Sequence, residues 1–369
     1  MPLKLLHNVI DPSVGSERDV QMVLEWGLSL SPSSLGRARY EHSVRDLGDY
    51  FYYVGAVYPG YVRPLQYAIV TASDTQLANF SWPFVVWLYL LQDASDACAD
   101  HLAQRLVAPG LNSFLRDTLE AMLASIGTPS ALDALANYVR RKDRIAALED
   151  MGFWIPEGRE PAVPRFMSTR LAAQVIRVED GDSATYPNPI GLPLSAIMAD
   201  PTQEVITWHY CSLDLAAIPG LPAFPASRVH LVSPPSDDNW TVFCKPLSDG
   251  RYVQAVVRGT THTDSEWEQI FRERANAGHD FGRGRLELIP YDDRLIYANC
   301  HIELTPGVEG DVGGPPIGLY PNPRCLSCQR LMFHVSTMTS DVRKYGEGFR
   351  SLYLCENCGL VASHATSWN

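Results

Sequence analysis

Apolar residues recur at helical spacing through the first 150 residues of the chain, and at strand spacing through most of the remainder. Ser16-Glu-Arg-Asp-Val-Gln-Met-Val-Leu-Glu-Trp26 has the form of a capped amphipathic helix. Ser16 stands at the N-cap, acidic side chains fill the first turn, and Val20, Val23 and Leu24 share a face. From Ser34 to about Val57, the positions Leu35, Val44, Leu47, Tyr50, Phe51 and Val54 repeat at helical intervals until Tyr58-Pro-Gly60 stops the pattern. Further helices are expected over 61–72, 75–92, 95–107, 111–126 and 130–149.

The separators Pro59-Gly60, Pro109-Gly110 and Gly127-Thr-Pro129 keep no fixed period. Pro129-Ser-Ala-Leu-Asp-Ala-Leu-Ala-Asn-Tyr138 nevertheless resembles the second helix of a HEAT-type unit, which implies a short solenoid. An irregular helical bundle is the alternative. Helical periodicity ends at Gly152-Phe-Trp-Ile-Pro-Glu-Gly-Arg-Glu-Pro161. Beyond it, strands are expected at Val175–Val178, Glu204–Tyr210, Arg228–Val232, Trp240–Cys244, Tyr252–Val257, Arg285–Ile289 and Arg294–Ala298, with one helix from Asp264 to Asn276. The expected fold class is α+β: a helical domain over 1–160 and a mainly β domain over 161–369.

Two Cys-x-x-Cys pairs close the chain, Cys325/Cys328 and Cys355/Cys358, with 26 residues between them. Each pair can turn as a tight knuckle and offer two thiolates, so the four are a ligand set for one tetrahedral ion. The expectation is a structural zinc ribbon over 320–364, its short strands at Leu331–Thr337 and Phe349–Leu354 separated by a turn marked by Gly346 and Gly348. Two disulfides or incidental doublets are the alternatives; disulfide frameworks belong mostly to smaller, secreted, cysteine-denser chains. His334 and His364 lie near enough in sequence to replace a thiolate, although each reads more simply as an ordinary core or surface histidine.

Composition narrows the function. Of 369 residues, 46% are apolar and 20% charged, and no apolar run approaches membrane-spanning length, so a soluble cytoplasmic protein is expected. The net charge of −12 divides evenly, residues 1–160 carrying 13 basic and 19 acidic side chains and residues 161–369 carrying 17 and 23. An acidic balance opposes nucleic-acid binding and favours a basic protein partner.

Other candidate chemistry is thin. Phe281-Gly-Arg-Gly-Arg285 reads as a polar turn rather than a phosphate cradle, and Val312-Gly-Gly-Pro-Pro316 as a bend. In Trp208-His-Tyr-Cys211, His209 and Cys211 fall on one face of a regular strand, which suits packing as well as a nucleophile and its base. His230, His262, His279 and His301 lie near carboxylates such as Asp264, Asp280 and Glu303 in sequence, as any ten histidines would. The tract Tyr50-Phe-Tyr-Tyr53 turns through every side of a helix, so one or two of its rings are expected at the surface or at the domain junction. With Asp46 and Asp49 they would form a partner-binding patch, Tyr50 and Tyr53 as anchors.

Gly191-Leu-Pro-Leu-Ser-Ala-Ile-Met198, Ser212-Leu-Asp-Leu-Ala-Ala-Ile-Pro-Gly-Leu221, the Gly313-Gly-Pro-Pro316 lead into Cys325-x-x-Cys328-x-x-x-Met332-Phe333, and Tyr345-Gly-Glu-Gly348 before Tyr353-x-Cys355-x-x-Cys358 together resemble the YwqG-like family, itself distantly similar to the programmed-cell-death-2-like proteins. The resemblance covers roughly residues 165–364. It implies a domain without assigned catalysis, found in toxin–immunity loci and in chaperone-like partner binding. Joined to a helical module, it implies an immunity protein that blocks a cognate, basic toxin as a monomer in a 1:1 complex. A chaperone or adaptor, and an enzyme that reverses a toxin-made modification, are the alternatives.

Overall fold

Helices occupy the first part of the chain and strands the second in a computed structural model that describes residues 16–77, 80, 82, 84–178, 183–200, 208–233, 240–259, 282–290, 307–316, 321–343 and 348–366. The described residues up to Met151, with Ile155–Val163, form one unit. Gly152–Trp154, Pro164–Tyr291 and Ile302–Asn369, so far as they are described, form the other. The division expected between residues 160 and 161 lies where the chain passes back and forth between the two.

In the first unit the described helices are α1 (Glu17–Leu28), α2 (Pro32–Leu35), α3 (Arg37–Val57), α4 (Pro59–Val62), α5 (Gln66–Val70), α6 (Asp74–Leu77), α7 (Phe84–Leu91), α8 (Asp96–Leu106), α9 (Ser113–Ile126), α10 (Pro129–Lys142) and α11 (Ile145–Asp150). Their ends follow the local sequence. Ser16 and Asp19 bond reciprocally as a capping box, and Asn112 and Thr128 accept the Leu115 and Ala131 N–H groups at 2.8 and 3.3 Å. The single helix expected over 130–149 is broken at Asp143, whose φ of 54° ends α10 in the left-handed region. Over 75–92, α6 and α7 stand in place of one helix.

Helices α3, α7 and α9 pack side by side in one row, and α5, α8 and α10 in a second. α7 lies in the middle of its row, which accounts for a helix with no charged residue, Phe-Val-Val-Trp-Leu-Tyr-Leu-Leu. It lies close against α3 at Gly55, where a Cβ would meet the Tyr89 carbonyl oxygen at 2.8 Å. Gly55→Ala is therefore expected to force the two helices apart and destabilise this unit by about 1–3 kcal/mol, read by denaturant unfolding. Unchanged stability would show that the helices meet less tightly.

The tyrosine tract corrects one expectation. Tyr50, Phe51, Tyr52 and Tyr53 are all buried, at 5% exposure or less. The rings are covered on several sides within the helical unit: Tyr50 packs edge-on to Phe51, Phe51 meets Trp82, Tyr52 meets Tyr89 and Tyr53 meets Tyr58. A helix enclosed by neighbours on more than one side can bury consecutive large residues, so Tyr50 and Tyr53 are core side chains rather than surface anchors. Asp46 and Asp49 stay half-buried, and Asp46 lies 3.4 Å from the His42 ring.

After two short strands, β1 (Phe153–Trp154) and β2 (Val163–Pro164), the second unit forms an antiparallel sheet of β3 (Arg170–Arg177), β4 (Pro189–Ile190), β5 (Trp208–Asp214), β6 (Arg228–Ser233), β7 (Trp240–Pro246), β8 (Tyr252–Gly259), β9 (Gly284–Pro290), β10 (Val308–Gly313), β11 (Phe333–Thr339), β12 (Phe349–Cys355) and β13 (Leu360–Thr366). Its order is β6-β5-β4-β9-β3-β10-β11-β12-β13-β7-β8. The sheet curls so that β6 at one end meets β13, β7 and β8 near the other: the Val232 N–H bonds Ser363 Oγ at 3.1 Å and the His230 N–H bonds Tyr252 Oη of β8 at 2.7 Å. Its main core gathers Tyr210, Leu213, Leu231, Val335, Leu352, Leu354 and Val361. Arg285 stands in β9, over the expected strand from Arg285 to Ile289, and Gly284 lets the β9 backbone lie against the Ile176 carbonyl of β3. The Gly313-Gly-Pro-Pro bend is present, with φ of 91° and 73° at Gly313 and Gly314.

The helix expected at Asp264–Asn276, the strand at Arg294–Ala298, residues 204–207 of another strand, and His262, His279, His301 and Glu303 lie outside the described residues. Among the described residues no helix is long and apolar enough to cross a membrane.

Candidate metal centre

The four cysteines gather against the second face of β12 and β13. Strand alternation sends Leu352 and Leu354 into the main core, whereas Tyr353 and Cys355 point the other way and join Phe243, Met332, Leu360, Ala362 and Cys325 in a separate small cluster. Cys328 and Cys358, half-buried, pack against it.

Both knuckles use the same backbone device. The Gln329 N–H returns to the Cys325 carbonyl at 3.0 Å and the Gly359 N–H to the Cys355 carbonyl at 2.9 Å. In each case the residue after the second cysteine is left-handed, with φ of 59° at Gln329 and 64° at Gly359. Glycine takes this conformation freely at Gly359. Gln329 adopts it while its side chain bonds the Leu326 carbonyl at 3.0 Å.

All four sulfurs lie within 4.8 Å of one another, and Cys328 Sγ and Cys355 Sγ are 3.6 Å apart. A tetrahedron of thiolates about 2.3 Å from zinc has edges of about 3.8 Å, so the donor set and its spacing fit such an ion. The seven described cysteines are free, which sets aside the two-disulfide alternative for this cluster. His334 and His364 are not ligands in this arrangement. His334 is held by the Gly314 carbonyl and Thr337 Oγ1, and His364 Nδ1 bonds Thr241 Oγ1.

Left to themselves, four crowded thiols resist ionising together. Burial and the neighbouring sulfurs push Cys355 and Cys358 up; at Cys328 burial acts the same way but is outweighed by the Arg330 N–H and the adjacent thiols, which pull it down. A divalent cation reverses this balance by binding the thiolates. When bound, it would be held by Cys325, Cys328, Cys355 and Cys358 and would tie the two hairpin ends together.

Arg165 braces the knuckles. Its guanidinium forms a two-bonded pair with Glu356, inside the second knuckle, at 2.8 and 2.7 Å, while Nε donates to the Leu331 carbonyl just past the first at 2.9 Å. Burial alone would raise the Glu356 carboxyl; the Arg165 bonds outweigh it and hold the group below its ordinary value. Sequence reasoning missed both residues. The signal was a carboxylate within a Cys-x-x-Cys pair, which needs a cation once the knuckle is covered.

A second polar constellation lies in the curled sheet. The Leu192 N–H can only donate, so His209 Nδ1 accepts from it at 2.9 Å and His209 Nε2 donates to Ser212 Oγ at 2.9 Å. Ser212 then donates to His230 Nδ1 at 2.8 Å, and His230 Nε2 donates to the Gly250 carbonyl at 3.1 Å. Both imidazoles are neutral in this chain of bonds. A bulge between His209 and Cys211 brings His209 and Ser212 together, which replaces the expected His209–Cys211 pairing. Burial pushes the Cys211 thiol up to about 12, so it is a core group rather than a nucleophile.

The same construction recurs on β11, with a bulge after His334 and a bond from its ring to Thr337 Oγ1 at 2.9 Å, which meets Ser351 Oγ at 2.8 Å. The sequence carries the matching sign. Tyr-Pro-Asn-Pro occurs at 186–189 and 320–323, and His-x-x-Ser and His-x-x-Thr at 209–212 and 334–337. Asn188 and Asn322 are both buried, bonding the Asp214 N–H and the Tyr353 hydroxyl.

Comparison with protein-family models, with curated proteins and with solved structures returns no match.

Proposed function

We propose that this chain is a bacterial immunity protein, a zinc-stabilised and YwqG-like binding protein of the cytoplasm that neutralises a cognate toxin by covering its active site. The observation that carries the reading is the closure of the thiolate quartet. Four protein ligands fill a tetrahedral ion, leaving no position for water or substrate, so the metal serves the fold. The Ser212–His230 pair supports the same reading: its hydrogen-bond chain begins and ends on backbone groups, and Ser212 is fully buried.

A HEAT-like stacking of these helices would supply an extended surface for a partner. The net charge of −12 speeds encounter with a basic toxin. Asp46 and Asp49, both half-buried, are the carboxylates proposed to meet the toxin's basic side chains, without the tyrosine anchors.

Binding predicts stoichiometric protection. Co-expression with the toxin encoded beside it should rescue growth, and inhibition of purified toxin should saturate at one chain per toxin. Inhibition persisting at about tenfold toxin excess, or removal of a toxin-made modification after the toxin is gone, would replace the binding reading with an enzymatic one.

A further inference from the structure

Residues 152–166 return to the metal knuckles at both ends. At the first end, Arg330 of the Cys325–Cys328 knuckle lies over the Trp154 ring at 4.9 Å. At the second, the Arg165 side chain spans Leu331 and Glu356, its N–H donates to the Gly152 carbonyl at 2.8 Å, and its carbonyl accepts the His334 N–H at 2.6 Å. Phe153 and Phe166 close the base of this loop edge to face. Between these ends, Ile155–Val163 leaves for α10, where Arg140 bonds the Pro156 and Glu160 carbonyls and the Ala162 N–H bonds the Leu132 carbonyl at 3.2 Å.

We propose that Arg165 is a positioning residue of the metal centre, and that metal loading fixes the connector through it. The inference rests on the zinc reading above. Leu331 and Glu356 belong to different knuckles, which the pairing of Phe333 with Leu354 holds side by side and which a bound metal ion would tie together at the sulfurs. With the quartet filled, both acceptors stand where one guanidinium reaches them. With it empty, strand pairing alone holds the knuckles, and the two-sided grip of Arg165 is expected to loosen. Coupling of this kind is reciprocal: whatever strengthens the connector's attachment when metal binds must also strengthen metal binding.

Arg165→Met keeps an apolar stem in contact with Phe333 and removes every guanidinium bond, while Glu356→Gln keeps the shape and removes the charge. In either variant, zinc affinity measured by competition with a chromophoric chelator should fall about 10- to 100-fold, the usual cost of losing an outer partner of a metal site. Amide exchange in peptides covering 152–166 should rise at least tenfold in the zinc-loaded variant, with peptides from α9 unchanged. If Arg165→Met does not fold, Glu356→Gln carries the same two readouts. Unchanged affinity, or weakened affinity with normal protection of 152–166, would overturn the coupling. A wild-type protein that binds no zinc would instead end the metal reading itself, before any variant is compared.

Discussion

Cys355→Ser is expected to abolish zinc retention and unfold the curled sheet at a temperature where the helical unit still holds. The wild-type chain should carry one zinc by elemental analysis, and the variant none after desalting. Structural zinc contributes roughly 10 kcal/mol or more of apparent folding free energy in small zinc domains. Here the sheet has its own core, so a loss of about 3–5 kcal/mol is expected, comparable with breaking a buried ligand network. Cys355 is the informative position because it is 2% exposed and begins the second knuckle at the end of β12. Its loss withdraws a ligand and leaves three crowded thiols against Met332 and Phe243. Two separate transitions are expected, only the later-strand one moving. A variant that keeps one zinc, or a wild-type chain with none, would remove the quartet as a metal centre.

How much of this was legible depended on how local the determinants were. The caps at Ser16, Asn112 and Thr128 and the apolar periodicity of α3 are written within a few residues, and the capped helices start close to the expected positions. The knuckles were equally local. Strands β10 and β13 were not expected, and their sequences explain it. Val-Glu-Gly-Asp-Val-Gly has little strand propensity, and Leu-Val-Ala-Ser-His-Ala-Thr is rich in small residues. Both are strands because of what flanks them. Gly310 sits where a Cβ would meet the Thr337 carbonyl oxygen at 2.4 Å, and the small residues of β13 fit between β12 and β7 in a sheet that closes on itself. The buried tyrosine tract failed for a related reason. Helical periodicity says which side chains share a face, and not how many faces the neighbours cover.

The buried histidines give the second large expectation, a sheet unit that unfolds in mild acid. Burial is the leading cause that lowers His230, His334 and His364 to about 4, and His209 is lowered further in the same direction by burial, by His230 and by Arg343. An unfolded histidine titrates near 6.5. Between those values the unfolded chain binds more protons, so stability is full above about pH 6.5 and is lost as pH falls toward 4. Each of the three costs about 2 kcal/mol by pH 5, roughly 6 kcal/mol together, within the range of a whole domain's stability. Burial raises Glu309 and Asp311, whose protonation favours the folded state in acid and offsets part of this loss. Release of metal from the thiolates acts in the same direction as the histidines, so the two must be separated. His334→Gln does this, since an amide can donate to the Gly314 carbonyl and accept from Thr337 without taking up a proton. Urea unfolding of zinc-loaded protein between pH 7 and 5 should show a pH dependence shallower by about one proton in the variant. An identical slope in the two proteins would remove His334 from the acid sensitivity.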